Sequence, residues 1–169
     1  DPNVYGPLGA TMRNRGNGPG GASADMRACL PFIKLLDVAL VEAAIILGFH
    51  AGQVMRGVKH AFTADGTAQT PHDPEAYFPV GRELHWHEFN SSSTFFEVMY
   101  REHFCGRVGP RTIYTIQSCE GVSVKPFSLF PDEEEVLFRP LARFRVTSST
   151  KRLRDGDLQD PPLPAARAG

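Results

Sequence analysis

Long apolar runs are missing from this 169-residue sequence, and the best of them, Val38 to Phe49, is broken by Glu42 and Gly48. A helix that crosses a bilayer needs about 20 apolar residues in a row, so a membrane span is not expected. A surplus of either charge is missing too: 18 Lys and Arg stand against 19 Asp and Glu, for a net charge of −1. Nucleic-acid binders carry a basic patch or stripe, so nucleic acid is not an expected partner. Cysteine is scarce and odd in number. Cys29, Cys105 and Cys119 lie far apart without a C-x-x-C pair, which excludes a disulfide framework and leaves room for one bridge at most. The chain opens on Asp1 without an apolar leader, as a fragment or a processed form would, and its compartment stays open. There is no internal repeat.

What is present has a globular balance, 41% hydrophobic and 22% charged residues, at a length that suits one domain with a sizeable core. Its two ends differ from its middle. Residues 1–24 hold six Gly and three Pro, and the stretch after Asp155 contains Pro161, Pro162 and Pro164. Such segments bury too little apolar surface to offset their ordering entropy, so both ends are expected to be tails.

Between the tails, Leu30, Ile33, Leu36 and Leu40 recur at three- and four-residue steps, which predicts a helix over 26–46 with Ser23 or Asp25 at its start and Gly48 as its stop. Short strands are expected over 53–58, 83–89, 112–117 and 122–127, the last two joined by a Cys119-Glu120-Gly121 turn. Two more are expected around Val136–Phe138 and Phe144–Val146. Residues 63–79 read as a loop and 93–103 as helical. One helix followed by many short strands is an α+β pattern with mainly antiparallel pairing.

Three motifs carry chemistry. In Met55-Arg56-Gly57, an arginine on a strand offers a forked donor to phosphate, and the glycine lets a ligand come close; a surface strand explains the same residues. Phe89-Asn90-Ser91-Ser92-Ser93-Thr94 is a hydroxyl run that either caps a helix or orients a carboxylate in a cleft. Asp132-Glu133-Glu134-Glu135 runs straight into Val136-Leu137-Phe138. If residues 133–138 are extended, Glu133 and Glu135 share a face, and two carboxylates that close disfavour joint ionisation. A solvated acidic edge strand is the plainer account. His85 and His87, with His103 later, read as surface histidines rather than metal ligands.

In this order, Arg56, then Ser91 in Phe-x-Ser-x-Ser, then Glu133-x-Glu135, the sequence resembles the arginine-specific ADP-ribosyltransferases, whose signature is an arginine on one strand, S-x-S on a second and E-x-E on a third. The resemblance runs over residues 28–147. It takes in Leu30-Pro31-Phe32-Ile33-Lys34-Leu35-Leu36, Thr112–Ile116, Gly121–Val124 and Pro131–Phe138. It implies a split antiparallel β-sandwich with a preceding helix and disordered tails, and a catalytic domain over 25–150.

The resemblance also implies NAD⁺ as co-substrate, no metal, and an arginine-bearing protein as acceptor, with a monomer expected. Glu135 would stabilise positive charge that develops on the ribose as nicotinamide departs. Glu133 would bind the acceptor guanidinium and help to deprotonate it. Ser91 would bond near the nicotinamide ribose and hold Glu135. Arg56 would meet the phosphates and the Gly57 backbone the carboxamide, with Ser93 and Phe127 beside the dinucleotide. Phe130 is a further aromatic candidate, and Arg101 and Arg107 read as solvent-facing with phosphate in reach. Two other readings stay open: an NAD⁺ glycohydrolase in which water replaces the acceptor, and a catalytically silent interaction domain.

Overall fold

In a computed structural model that describes residues 5–13, 24–60, 62 and 73–149, the chain runs through α1 (Tyr5–Arg13), α2 (Ala24–Leu47), β1 (His50–Val58), the short α3 (Pro74–Tyr77), β2 (Glu83–Trp86), β3 (Asn90–Ser93), β4 (Thr112–Ser123), β5 (Glu135–Phe138) and β6 (Ala142–Arg145). The expected periodicity of α2 is realised. Leu40, Ala43 and Ala44 are buried against Val122 of β4 and Leu137 of β5. Gly48 ends the helix at φ +81°, and its N–H bonds the Ala44 carbonyl at 2.9 Å, the left-handed stop that glycine adopts without steric cost.

The strands close into an antiparallel barrel of order β1-β3-β5-β4, and β2 pairs with β6 as a separate two-stranded sheet. The longest ladder joins β1 and β4, with Val54 opposite Ile116 and Arg56 opposite Tyr114. Apolar residues that point inward along these strands, Val54, Ile116, Val136 and Phe138, fill the barrel with Ala142. Arg139, just past β5, donates Nε and Nη2 to the two carboxylate oxygens of Asp37 at 2.6 and 2.9 Å. That planar fork ties α2 to the barrel.

Several elements differ from expectation. Within the segment expected as an N-terminal tail, Tyr5–Arg13 is helical, because Leu8 and Met12, four residues apart, bury against Ile33 of α2. Residues 14–23 and 150–169, and with them Ser23 and the expected C-terminal tail, lie outside the described residues. Residues 74–77 form a helical turn inside the expected loop, while 63–72 lie outside the described residues. The strand expected over 83–89 ends at Trp86, and the helical spacing over 93–103 yields a 3₁₀ turn at Phe96–Tyr100.

The two strands expected over 112–127 are one strand ending at Ser123, after which Lys125–Phe127 makes a 3₁₀ turn. Gly121 is not a turn residue. It sits past a register shift in the β1–β4 ladder, where an added Cβ would come within 2.5 Å of Val136 Cγ1. The glycine is there for close packing.

Candidate active site

The three motif strands, distant in sequence, are consecutive neighbours in the barrel. Met55 of β1 stands opposite Ser93 of β3, and Ser93 stands opposite Glu135 of β5. One cross-strand row therefore links the arginine, serine and acidic motifs.

Arg56 is half-buried. Its Nη1 donates to the Ser91 carbonyl at 2.6 Å, and its guanidinium lies 5.4 Å from the centre of the Trp86 ring, a cation–π contact. Across the ladder, burial pushes the Tyr114 hydroxyl well above its ordinary range, with the Arg56 charge pulling the other way. Gly57 is enclosed by protein: an added Cβ would meet Cys105 Sγ at 2.6 Å and Cys105 Cβ at 2.8 Å. Cys105 is fully buried, and burial raises its pKa.

The hydroxyl run does work that its composition did not specify. Ser92 Oγ donates to the Val136 carbonyl and Ser93 Oγ to the Glu133 carbonyl, both at 2.7 Å, and both serines are fully buried. Ser93 Oγ also accepts the Phe95 N–H at 2.9 Å, just ahead of the 3₁₀ turn that opens at Phe96. The run is chiefly a strand stitched to the acidic segment. Ser91 contributes its carbonyl to Arg56 and faces Leu137 in register, so the residue opposite Glu135 is Ser93 rather than Ser91.

The acidic segment is not extended throughout. Pro131–Glu133 is a 3₁₀ turn, Glu134 is left-handed at φ 46°, ψ 47°, and only Glu135 onward is strand. Strand alternation therefore does not relate Glu133 to Glu135. Pro131 starts the turn with its fixed φ, and left-handed Glu134, ion-paired to Lys125, reverses the chain into β5.

The two outer glutamates sit in opposite surroundings. Glu133 is buried, and its Oε1 accepts Arg101 Nη1 at 2.7 Å and His103 Nε2 at 2.9 Å. Glu135 is half-buried, and its carboxylate has no hydrogen bond or ion pair with any of the described residues. Sequence reasoning missed Arg101 and His103 as partners of Glu133, since nothing local marks an ion pair 32 residues apart. Phe127 and Phe130 flank the acidic turn with 68% and 64% of their surfaces exposed, aromatic faces left open to solvent beside the site. Arg107 lies over the Tyr100 ring at 4.6 Å.

A cavity of about 390 Å³ is lined by Trp86, Tyr114, Arg143 and Phe144 among others and by none of Arg56, Ser91, Glu133 and Glu135. The chemistry, not this cavity, defines the candidate site. Among the described residues no group of three or more His, Cys, Asp or Glu is arranged to hold a metal ion, and no helix is long and apolar enough to cross a membrane.

Against known proteins, the sequence matches the NAD:arginine ADP-ribosyltransferase family over residues 31–159. The chain belongs to that family. Members of the family take NAD⁺ as substrate. The chain is 48% identical over 42 residues to the erythroblast NAD(P)⁺–arginine ADP-ribosyltransferase of Gallus gallus, which is 25% of this chain and 14% of that protein. It is 32% identical over 68 residues to NAD(P)⁺–arginine ADP-ribosyltransferase 2 of the same organism, which is 40% of this chain and 20% of the relative. The chain thus spans a fifth or less of these relatives in the matched stretches. Its fold is similar to that of ADP-ribosyltransferase Vis, with a TM-score of 0.61 at 22% identity over 87% of this chain and 61% of that one. The antiparallel barrel and two-stranded sheet, with few helices among the described residues, agree with the expected α+β fold.

Proposed function

We infer that residues 25–150 are the catalytic domain of a mono-ADP-ribosyltransferase that moves ADP-ribose from NAD⁺ to protein arginine and releases nicotinamide. The observation that carries this reading is the adjacency of β1, β3 and β5, with one register row running from Met55 through Ser93 to Glu135. Family membership supports the same chemistry.

The residues fit the substrate. Arg56 supplies a guanidinium for the phosphates, aimed by its bond to Ser91 and its seat on Trp86. Glu135, unpartnered among the described residues, is the carboxylate available to stabilise positive charge on the ribose as the bond to nicotinamide lengthens. Ser93, Ser92 and Ser91 fix the strand on which that charge relation depends, and Phe127 and Phe130 supply aromatic surface at the rim. Glu133 is the acceptor carboxylate: its oxygen already holds a guanidinium, that of Arg101, so its surroundings are suited to one.

The same contact gives the glycohydrolase reading its one specific support, because an outside arginine meets an occupied carboxylate whereas water does not need it. Nicotinamide release from NAD⁺, measured with and without agmatine as a small guanidino acceptor, separates the readings. Acceptor-dependent release with ADP-ribosyl-agmatine as product is expected, falling about 10²–10³-fold in Glu135→Gln. Release indifferent to acceptor would favour the glycohydrolase. No release by the unaltered chain would refute both.

A further inference from the structure

Glu133 uses only one of its two carboxylate oxygens. Both donors that reach it, Arg101 Nη1 at 2.7 Å and His103 Nε2 at 2.9 Å, converge on Oε1, and no described residue donates to Oε2. An ionised carboxylate only accepts, over about four lone-pair sites on its two oxygens, so Nε2 is the donor in the histidine contact and half of the carboxylate stands unused. That half is costly, because the Glu133 side chain is only 9% exposed and a buried oxygen without a donor loses its water for nothing in return. The arm that carries the two donors is fixed. The Phe104 and Gly106 N–H groups bond the Arg101 carbonyl, and the Cys105 N–H bonds the Met99 carbonyl, while the His103 ring packs on Phe104 at 4.9 Å. The last torsion of a glutamate is broad, so one donor leaves the carboxylate plane free to turn. Two donors from different residues hold it.

We propose that His103 is a positioning residue for arginine transfer: with Arg101 it pins Glu133 Oε1 and so presents Oε2 to the incoming guanidinium. The inference rests on the transferase reading above. The acceptor then meets Glu133 through one N–H on Oε2, in place of the fork that a free carboxylate would offer. The bond between ribose C1′ and nicotinamide breaks with its electron pair leaving on nicotinamide. The acceptor nitrogen gives its lone pair to C1′, and the proton displaced from it passes to Oε2 and on to solvent. NAD⁺ and the guanidinium yield the ADP-ribosylated guanidinium, nicotinamide and a proton. His103 keeps its proton throughout and acts only through Glu133. Water as acceptor does not need the Oε2 contact, so His103 bears on transfer and not on hydrolysis.

The test compares the full chain with His103→Ala and His103→Gln, following ADP-ribosyl-agmatine formation across agmatine concentrations and nicotinamide release without acceptor. The His103 side chain is 58% exposed, so its truncation opens no cavity. In His103→Ala, kcat/KM for agmatine is expected to fall about tenfold or more, with KM for NAD⁺ and acceptor-free release unchanged. His103→Gln, whose amide still offers an N–H, is expected to recover most of the loss. Equal losses of transfer and acceptor-free release would mark a loosened fold and overturn the inference. Unchanged agmatine kinetics in His103→Ala would overturn it too, as would a His103→Gln protein no better than His103→Ala. Each of these leaves the transferase reading standing. No transfer to agmatine by the unaltered chain would sink that reading, and this inference with it.

Discussion

Gly57 separates two explanations that the sequence alone could not. Resemblance gives its backbone a role against the NAD⁺ carboxamide, while the structure packs its Cα face on Cys105. In Gly57→Ala the new methyl would sit 2.6 Å from Cys105 Sγ and 2.8 Å from Cys105 Cβ. Cys105 cannot swing aside freely, being fully buried and bonded through its thiol to the Met99 carbonyl at 3.0 Å. Overpacking of this kind costs about 2 kcal/mol, which in a domain of this size lowers Tm by about 4–8 °C.

Cys105→Ala alone gives up a buried sulfur and one thiol bond, a loss of about 1 kcal/mol. In the double variant the sulfur contact is gone and only the Cβ contact remains. The combined loss is therefore expected to be smaller than the sum of the single losses by about 0.5–2 kcal/mol. Thermal and denaturant unfolding of the four proteins reads this directly. Strict additivity, or a Gly57→Ala protein as stable as the original, would refute the packing argument. Nicotinamide release by the double variant then addresses the second role: a restored fold with raised KM for NAD⁺ is the signature of a backbone that the dinucleotide must approach closely.

Ser93→Ala is expected to cost about 1–3 kcal/mol, because the buried Glu133 carbonyl and the Phe95 N–H both lose their partner; transfer to agmatine should fall further than nicotinamide release, and equal losses would count against a role in fixing the acidic turn. For pH, burial raises the pKa of both Cys105 and Tyr114 above their ordinary values of 9.0 and 10.0. The native state keeps these protons where the unfolded chain has lost them, so the stability they contribute is full below pH 9 and drains away as pH rises. Unfolding free energy is expected to fall by up to about 1.4 kcal/mol per pH unit for each group; Tyr114→Phe should flatten the limb above pH 10, and an unchanged slope would refute the assignment.

How much of this was legible in the sequence depends on how local each signal is. The α2 helix was, because its apolar residues repeat with the helical period, and Gly48 marked its end. The order of the three motifs was legible for the same reason: each is a short string read without knowing the fold. Their convergence was not, since alternation predicts strands but not the barrel order that puts β3 between β1 and β5. The glycine at 121 was misread because a turn and a close packing contact ask for the same residue. The left-handed Glu134 was missed because acidic residues in a row carry no signal of backbone sign. The pairing of Arg101 and His103 with Glu133 lies 32 and 30 residues apart in sequence, and only the folded topology brings such groups together.

The backbone at Glu134 explains how two glutamates of one E-x-E string acquire different chemistry. A continuous strand would send both side chains to one face. Instead a non-glycine residue sits at φ 46°, a conformation that costs about 1–2 kcal/mol, and it is held there by the Lys125 ion pair and by the Thr94 N–H on its carbonyl. On one side of that kink Glu133 turns inward to Arg101 and His103. On the other side Glu135 enters β5 opposite Ser93, with a carboxylate that no described residue neutralises. On the proposed reading, an unpaired carboxylate suits a cation that exists only while a bond is breaking, and a paired one suits a guanidinium held in the ground state. The local strain is what lets neighbouring positions satisfy both conditions.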